Sequence, residues 1–521
     1  MKRYLIALAL IILSTSACKP KEKEKVYEPA VRLELKSVMP TRAEFALSTI
    51  DAATVLYGFS ASGEPSLGDS LETGGTGSQQ LVLTLQPLQD GTDYTLAVQG
   101  IGPGGEKGKV VSLKFSTMSL SRNLYAWEKK RDGAPSFADI SLVTLGRHRA
   151  DPPVWTPERF ASHVVFDQAD GSSCWLYDAF LCIDSFDGAR GMSYCLTNGS
   201  PSSVKESWED LLEGWLGSDG AIRKLDQAVS AAAGKLGPPP APRYVVMSLP
   251  DPVMFRNFSD KSSPTVYWGE VDGRQLDFSK PEDQVAAYRW YMNSCRSRFA
   301  SLGLGNVELA GFYILSEELH LAPSIYKEAG LSAGEAETFN YKYKHWETIV
   351  PAAAEYAHSC NEGLWWIPYH LAPGHKVWKK LGFDGAFMQP NYYWDNGSVS
   401  HPMSKTIAAL KQYSMGIELE FEYSLVASVM ADGRSGPDGS GNPTFYLKDV
   451  PLLRDRVREY MQAYKDSGLY GVLPIAVYSG TDAMHQLASS QDEGDKQMYE
   501  EICRFIVDSP LKSRRTQTAD N

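Results

Sequence analysis

From residue 119 onward, short apolar strand-like runs alternate with longer helical ones, and this alternation limits the fold more than any other feature of the chain. Repeated strand–helix units build a parallel sheet with helices on its faces. Candidate strands cover 140–145, 175–184, 244–249, 309–317, 364–370, 386–392, 417–423 and 471–478. Apolar residues at helical spacing mark helices over 282–302, 333–358, 452–465 and 492–507, with a shorter one over 156–163. Eight strands in nearly four hundred residues predict a (β/α)8 barrel. A dinucleotide-binding doubly wound sheet would need a Gly-rich turn after its first strand, and the sequence has none there.

The strand-like runs end in chemistry-bearing side chains. The fourth reaches Ser316-Glu317-Glu318, and the seventh carries Glu418, Glu420 and Glu422. A carboxylate in so apolar a run is costly unless it is paired or used. The remaining runs end at Asp184, Asp251, Tyr369-His370, Gln389-Pro390-Asn391-Tyr392 and Tyr478. The C-terminal rim of such a barrel is where its active site sits. Acids, amides and aromatic faces on one rim suit a sugar: carboxyls for the glycosidic bond, amides for hydroxyls, rings for stacking. Glu317 and Glu420 are therefore the candidate catalytic pair. Asp184, Tyr313, Tyr369, His370, Gln389, Asn391, Tyr392, Glu422 and Tyr478 are the candidate substrate ligands. By strand alternation Glu418, Glu420 and Glu422 share a face, which leaves Glu422 as the alternative to Glu420 and predicts a deeper basic partner for Glu418. Glu318 points away from Glu317 and reads as structural. Asp251, before Pro252, reads as a turn residue, and Asp178 needs a buried partner.

The net charge of −12 argues against a nucleic-acid partner, which needs a basic face. No zinc-type cluster, phosphate-cradling Gly motif or G-x-S-x-G elbow is present, so neither metal nor cofactor is expected. The Asp- and Gly-rich stretch 431–442 lacks the spacing of an EF-hand calcium loop. Cys174, Cys182, Cys195, Cys295, Cys360 and Cys503 have no nucleophile context, and Cys174 and Cys182 are expected on one strand.

Lys2 and Arg3, an apolar run over 4–13 and Ser14-Thr15-Ser16-Ala17-Cys18 form a secretory signal. The small residues before Cys18 resemble a bacterial lipobox, which implies cleavage there and lipid on the Cys18 thiol. The reading is a signal over 1–18, a tether over 19–26, a small all-β domain over 27–118, the barrel over 119–510 and a disordered tail over 511–521. The mature protein is expected in the cell envelope, held to a membrane by its lipid.

Residues 27–118 alternate as short strands with Gly/Ser-rich turns at Gly74-Gly75-Thr76-Gly77-Ser78 and Gly102-Pro103-Gly104-Gly105. The stretch from Leu85 to Tyr94 resembles the E–F corner of fibronectin type III domains, with Tyr94 as its corner tyrosine. The chain departs from that family in having no Trp on the early strands. The barrel region resembles clan A glycoside hydrolases, which place an acid/base Glu at the end of strand four and a nucleophile Glu at the end of strand seven. By strand count these are Glu317 and Glu420; where the clan has Asn before its acid, this chain has Ser316. The segments Gly311-Phe312-Tyr313-Ile314-Leu315-Ser316-Glu317, Trp366-Ile367-Pro368-Tyr369 and Gly382-Phe383-Asp384-Gly385-Ala386-Phe387-Met388-Gln389-Pro390-Asn391-Tyr392 resemble a bacterial lipoprotein family, domain of unknown function 4855. That resemblance implies a glycosidase-like barrel and no particular substrate.

The expectation is an exported, lipid-anchored glycoside hydrolase acting on a poly- or oligosaccharide, with the retaining course favoured. The alternative is a catalytically inactive carbohydrate-binding surface lipoprotein on the same scaffold. A third reading is an adhesion or structural protein working through its β-domain with partner lipoproteins.

Overall fold

The computed structural model describes residues 28–38, 43–85, 88–89, 92–117, 136–147, 152–196, 200–394, 401–431, 449–481 and 483–512. Cys18, the signal and tether, residues 513–521 of the tail and most of the 431–442 stretch lie outside these. The chain divides into two compact units, Met1–Thr117 and Met118–Asn521.

The first unit is the expected sandwich. One antiparallel sheet holds Ala30–Val38, Ala43–Ile50 and Gln79–Leu85; the other holds Asp69–Glu72, Thr54–Ser60, Asp93–Ile101 and Lys107–Ser116 in that order. Alternation along Ala43–Ile50 sends every second side chain inward. The core closes on Phe45, Leu47, Val55, Leu83, Leu96 and Val98. In place of a Trp, Phe115 meets Phe45 edge-on at 5.1 Å and stacks on Tyr94 at 5.5 Å. The Tyr94 hydroxyl accepts from the Gln89 N–H at 2.9 Å, which makes Tyr94 the corner tyrosine.

The second unit is a closed barrel of eight parallel strands. In chain order they are Asp139–Thr144, Ala179–Ile183, Arg243–Leu249, Val307–Ile314, Gly363–Trp366, Gly385–Met388, Gly416–Glu420 and Ile475–Tyr478, and the eighth pairs back to the first. All eight strand-like runs of the sequence are the barrel strands. Several are shorter than read, because apolar residues continue past the last ladder bond into rim loops. Residues 333–358 are not one helix. They break into Glu335–Thr338, a 3-10 turn at Tyr341–Tyr343, and Trp346–Ser359, with Asn340 and His345 left-handed at the joints. The short first helix, Pro157–Val164, starts on a Thr156 side-chain cap. Cys174 and Cys182 sit on different strands, a small hairpin arm and the second barrel strand. All six described cysteines are free thiols. No described helix is long and apolar enough to cross a membrane.

The foot of the barrel is tied by charge. Asp178, just ahead of the second strand, meets Arg243 at 2.9 Å and Lys512 at 3.3 Å, and Lys512 reaches Asp139 at 2.7 Å. This is the buried partner that Asp178 needs. Lys512 and the buried Leu511, read from sequence as tail, are thereby part of the fold. Breaking one member of such a buried set leaves an unpaired charge and costs about 3–5 kcal/mol.

A bulge shapes the fourth strand. Val245 pairs with Leu309 but Val246 with Gly311, so Ala310 is the extra residue. Gly311 has φ +147, and a Cβ there would lie 2.1 Å from the Gly363 carbonyl oxygen. Bulges of this kind re-aim the side chains that follow. Here Tyr313 faces the barrel mouth, while Phe312 lies outside under the Arg296 guanidinium. Gly311→Ala is expected to cost at least ~2 kcal/mol through clash and strain, read by chemical denaturation; an unchanged midpoint contradicts the bulge.

Candidate active site

The mouth at the C-terminal ends of the strands encloses a cavity of about 530 Å³, within the usual size of ligand sites. Its walls include Glu317, Glu418 and Glu420, with Asp184, Gln389, Trp394, Tyr313, Tyr369 and Tyr478. The fourth and seventh strands thus deliver the two sequence candidates to one space.

Glu420 is the last residue of the seventh strand and is 2 % exposed. Its Oε2 accepts from the Asn391 N–H at 2.7 Å and from the Tyr460 hydroxyl at 2.5 Å, and the Trp394 side chain also donates to it. Burial outweighs these donors and pushes its pKa up to about 7, with Glu317 adding to the rise. Glu418, two residues deeper on the same wall, is equally buried, and its carboxyl has no hydrogen bond among the described residues. Burial, then the Glu420 and Glu317 charges, hold its pKa well above the usual range. Two carboxyls this close titrate as a pair. The donors converge on Glu420 and favour its charged form, whereas burial and the neighbouring acids favour the protonated form of Glu418. No basic partner for Glu418 is found among the described residues: the groups that act on it are acids.

Glu317 reaches into the open part of the cavity, so water touches it while protein crowds its other sides. That crowding raises its pKa, Gln389 lowers it through a 2.9 Å bond from Nε2, and Glu318 raises it. Ser316 lines the cavity and turns its hydroxyl to the Glu318 carbonyl at 3.1 Å. Glu318 also lines the mouth; a bond from His320 lowers its pKa. Lys344 is the single basic side chain among the described lining residues. Burial brings its pKa down to about 8 against the pull of Glu318 and Asp251.

The other candidates divide. Asp184 lines the cavity, accepts from the Thr144 hydroxyl at 3.0 Å, and is pushed by burial to a pKa of about 7. Tyr313, Tyr369, Gln389 and Tyr478 line it as well. Asn391, Tyr392, His370 and Glu422 do not. Asn391 acts through others: its N–H serves Glu420 and its side-chain amide donates to the Tyr369 hydroxyl at 3.0 Å. Tyr392 turns its hydroxyl outward to Glu459. His370 pairs with Thr406 behind the wall, with burial lowering its pKa to about 4. Glu422 does not share the face of Glu418 and Glu420, because the strand ends at Glu420. Its buried carboxyl accepts from the Tyr478 hydroxyl at 2.9 Å beneath Gly480. Asp251 serves the rim loops: it is buried and accepts from the Leu196 N–H at 2.9 Å.

Sequence reasoning missed Tyr460 and Lys344 and left Trp394 open between stacking on a sugar and packing in its loop. Tyr460 lies on the apolar stripe of helix Val450–Asp466, and a buried tyrosine hydroxyl needs a partner, which is the one available signal. The Cys195 thiol lines the cavity, but burial pushes its pKa up to about 12, so it is no nucleophile at neutral pH. No group of three or more His, Cys, Asp or Glu among the described residues is arranged to hold a metal ion.

Fold and mouth together define a (β/α)8 barrel protein with a carboxyl-walled cavity. The chain belongs to the family described as Domain of unknown function (DUF4855), whose model matches residues 139–340 and 334–434. No curated protein matches the sequence. Among solved structures, a β-D-glucuronidase of Dictyoglomus thermophilum is 7% identical with TM-score 0.31, covering 87% of this chain and 61% of that one. A Parabacteroides merdae β-glucuronidase is 10% identical with TM-score 0.29, covering 87% and 47%. The fn3 domain of the human collagen α-1(XX) chain is 19% identical with TM-score 0.14, covering 19% of this chain and 94% of that one. The chain thus spans less than two thirds of either glucuronidase.

The Glu418 pKa has a stability consequence. Its folded-state pKa lies above the unfolded one, so between the two the unfolded chain has lost the proton while the folded chain keeps it. Stability therefore falls as pH rises, by about 1.4 kcal/mol per unit for one group. Glu418→Gln is expected to match the wild type near pH 4 and to gain stability over it increasingly toward pH 7. Thermal melts across that range check this; a constant difference contradicts it.

Proposed function

We propose that this protein is a glycoside hydrolase with Glu317 as general acid/base and Glu420 as nucleophile. The observation that carries the reading is the placement of these two carboxyls, at the ends of the fourth and seventh strands, on one cavity with different hydrogen-bonding. Glu317 has one amide donor and access to water, which suits a group that gives and takes protons. Glu420 is fixed by three donors that stabilise its carboxylate. Glu317 protonates the glycosidic oxygen as the bond to the anomeric carbon breaks and Glu420 bonds to that carbon. Water, losing its proton to Glu317, then displaces Glu420. Gln389 orients Glu317; Trp394 and Tyr313 offer faces to the sugar ring.

Glu317→Gln and Glu420→Gln are each expected to lower kcat on a cleaved glycoside by about 10²–10⁴-fold while the protein still binds sugar. In the wild type, kcat/KM should fall as pH drops below about 7, where Glu420 takes up its proton. Sugar binding without turnover in the wild type favours instead an inactive carbohydrate-binding protein.

We also propose export and anchoring through lipid on Cys18, which rests on the signal pattern of residues 1–18. Cys18→Ser should abolish incorporation of labelled fatty acid and release the protein from the membrane fraction. Labelling that persists in the variant contradicts the anchor.

A further inference from the structure

The charges on the cavity wall are one-sided, and one of them has no answer among the described residues. Asp184, Glu317, Glu318, Glu418 and Glu420 line it, against Lys344 alone among the described residues. Lys344 is engaged by Glu318 and Asp251 and is not among the groups acting on Glu418. Glu418 is 2 % exposed, faces the cavity and has neither a cation nor a hydrogen-bond donor among the described residues. It lies two residues, ~6.6 Å of strand, below Glu420. Its partner across the ladder to the eighth strand is the small Ala476, so the wall beside it is low. Trp394 and Tyr313 add aromatic faces, which attract cations.

We propose that the cavity takes an amino sugar with a free ammonium group, and that Glu418 is the carboxylate that receives it. This rests on the glycoside hydrolase reading above. An ammonium supplies the missing counter-charge and the missing donors at once, and it draws the proton off Glu418 as it binds. An acetamido group has the bulk without the charge. A hydroxyl donates without charge, and a uronate adds a further negative charge to an acidic wall.

The test uses matched aryl glycosides, gluco- and galacto-configured and in both anomers, that differ at C2 as amine, hydroxyl or acetamide, together with the corresponding uronides. The amine form is expected to exceed the hydroxyl and acetamido forms in kcat/KM by about tenfold or more, with no turnover of uronides. Glu418→Gln, checked for folding by circular dichroism, should raise KM for the amine form and bring its ratio to the hydroxyl form near one. Equal turnover of the hydroxyl or acetamido form by the wild type overturns the amino-sugar inference and leaves the hydrolase reading standing. So does an amine preference that survives in Glu418→Gln. Calorimetric binding of the amine glycosides without turnover of any glycoside keeps ammonium recognition and overturns the hydrolase reading. Neither binding nor turnover overturns both.

Discussion

Five carboxyls line one cavity, and the free energy of keeping the buried ones there, Glu418 and Glu420 above all, sets the behaviour of the site. Like charges in such surroundings repel strongly, and each loses hydration. Rigid walls prevent the obvious relief, because the fourth and seventh strands are locked into a closed ladder. The cluster relaxes instead by holding protons. Glu418 favours its protonated form because no described residue donates to its carboxyl, and Glu420 carries charge more readily because Asn391, Tyr460 and Trp394 converge on it.

The two ends of the barrel handle charge in opposite ways. At the foot, Asp139 and Asp178 meet Arg243 and Lys512, and the ion set ties the first three strands to the segment that carries Lys512. At the mouth the acids outnumber Lys344, the single lysine among the described lining residues. Pairing at the foot serves stability, and unpaired acid at the mouth is available to a ligand, the usual division of labour in this fold.

Much of the barrel was legible because parallel strands buried on both faces read as continuous apolar runs, and all eight were visible that way. Their ends were not, since apolar residues such as Phe421 continue the pattern past the last strand residue, here Glu420. Strand counting brought Glu317 and Glu420 to the mouth. It misplaced Glu422, since alternation stops applying once the strand ends at Glu420. It offered Glu418 a deeper basic partner that none of the described residues supplies, because a one-dimensional pattern carries no information about partners across the barrel. Tyr460 was hidden for the same reason: on its helix it is one more core aromatic, and only the closed structure shows its hydroxyl against Glu420. His370 and Tyr392 sit next to lining residues in sequence, yet their side chains turn to Thr406 and Glu459.

The central claim is that Glu420 attacks the anomeric carbon. A 5-fluoroglycosyl fluoride of the sugar that is turned over traps such an intermediate, and peptide mapping by mass spectrometry locates the adduct. The account predicts one glycosyl group per protein, on the carboxyl of Glu420. An adduct on Glu317, Glu418 or Glu422, or turnover of the reagent with no covalent species, would contradict it.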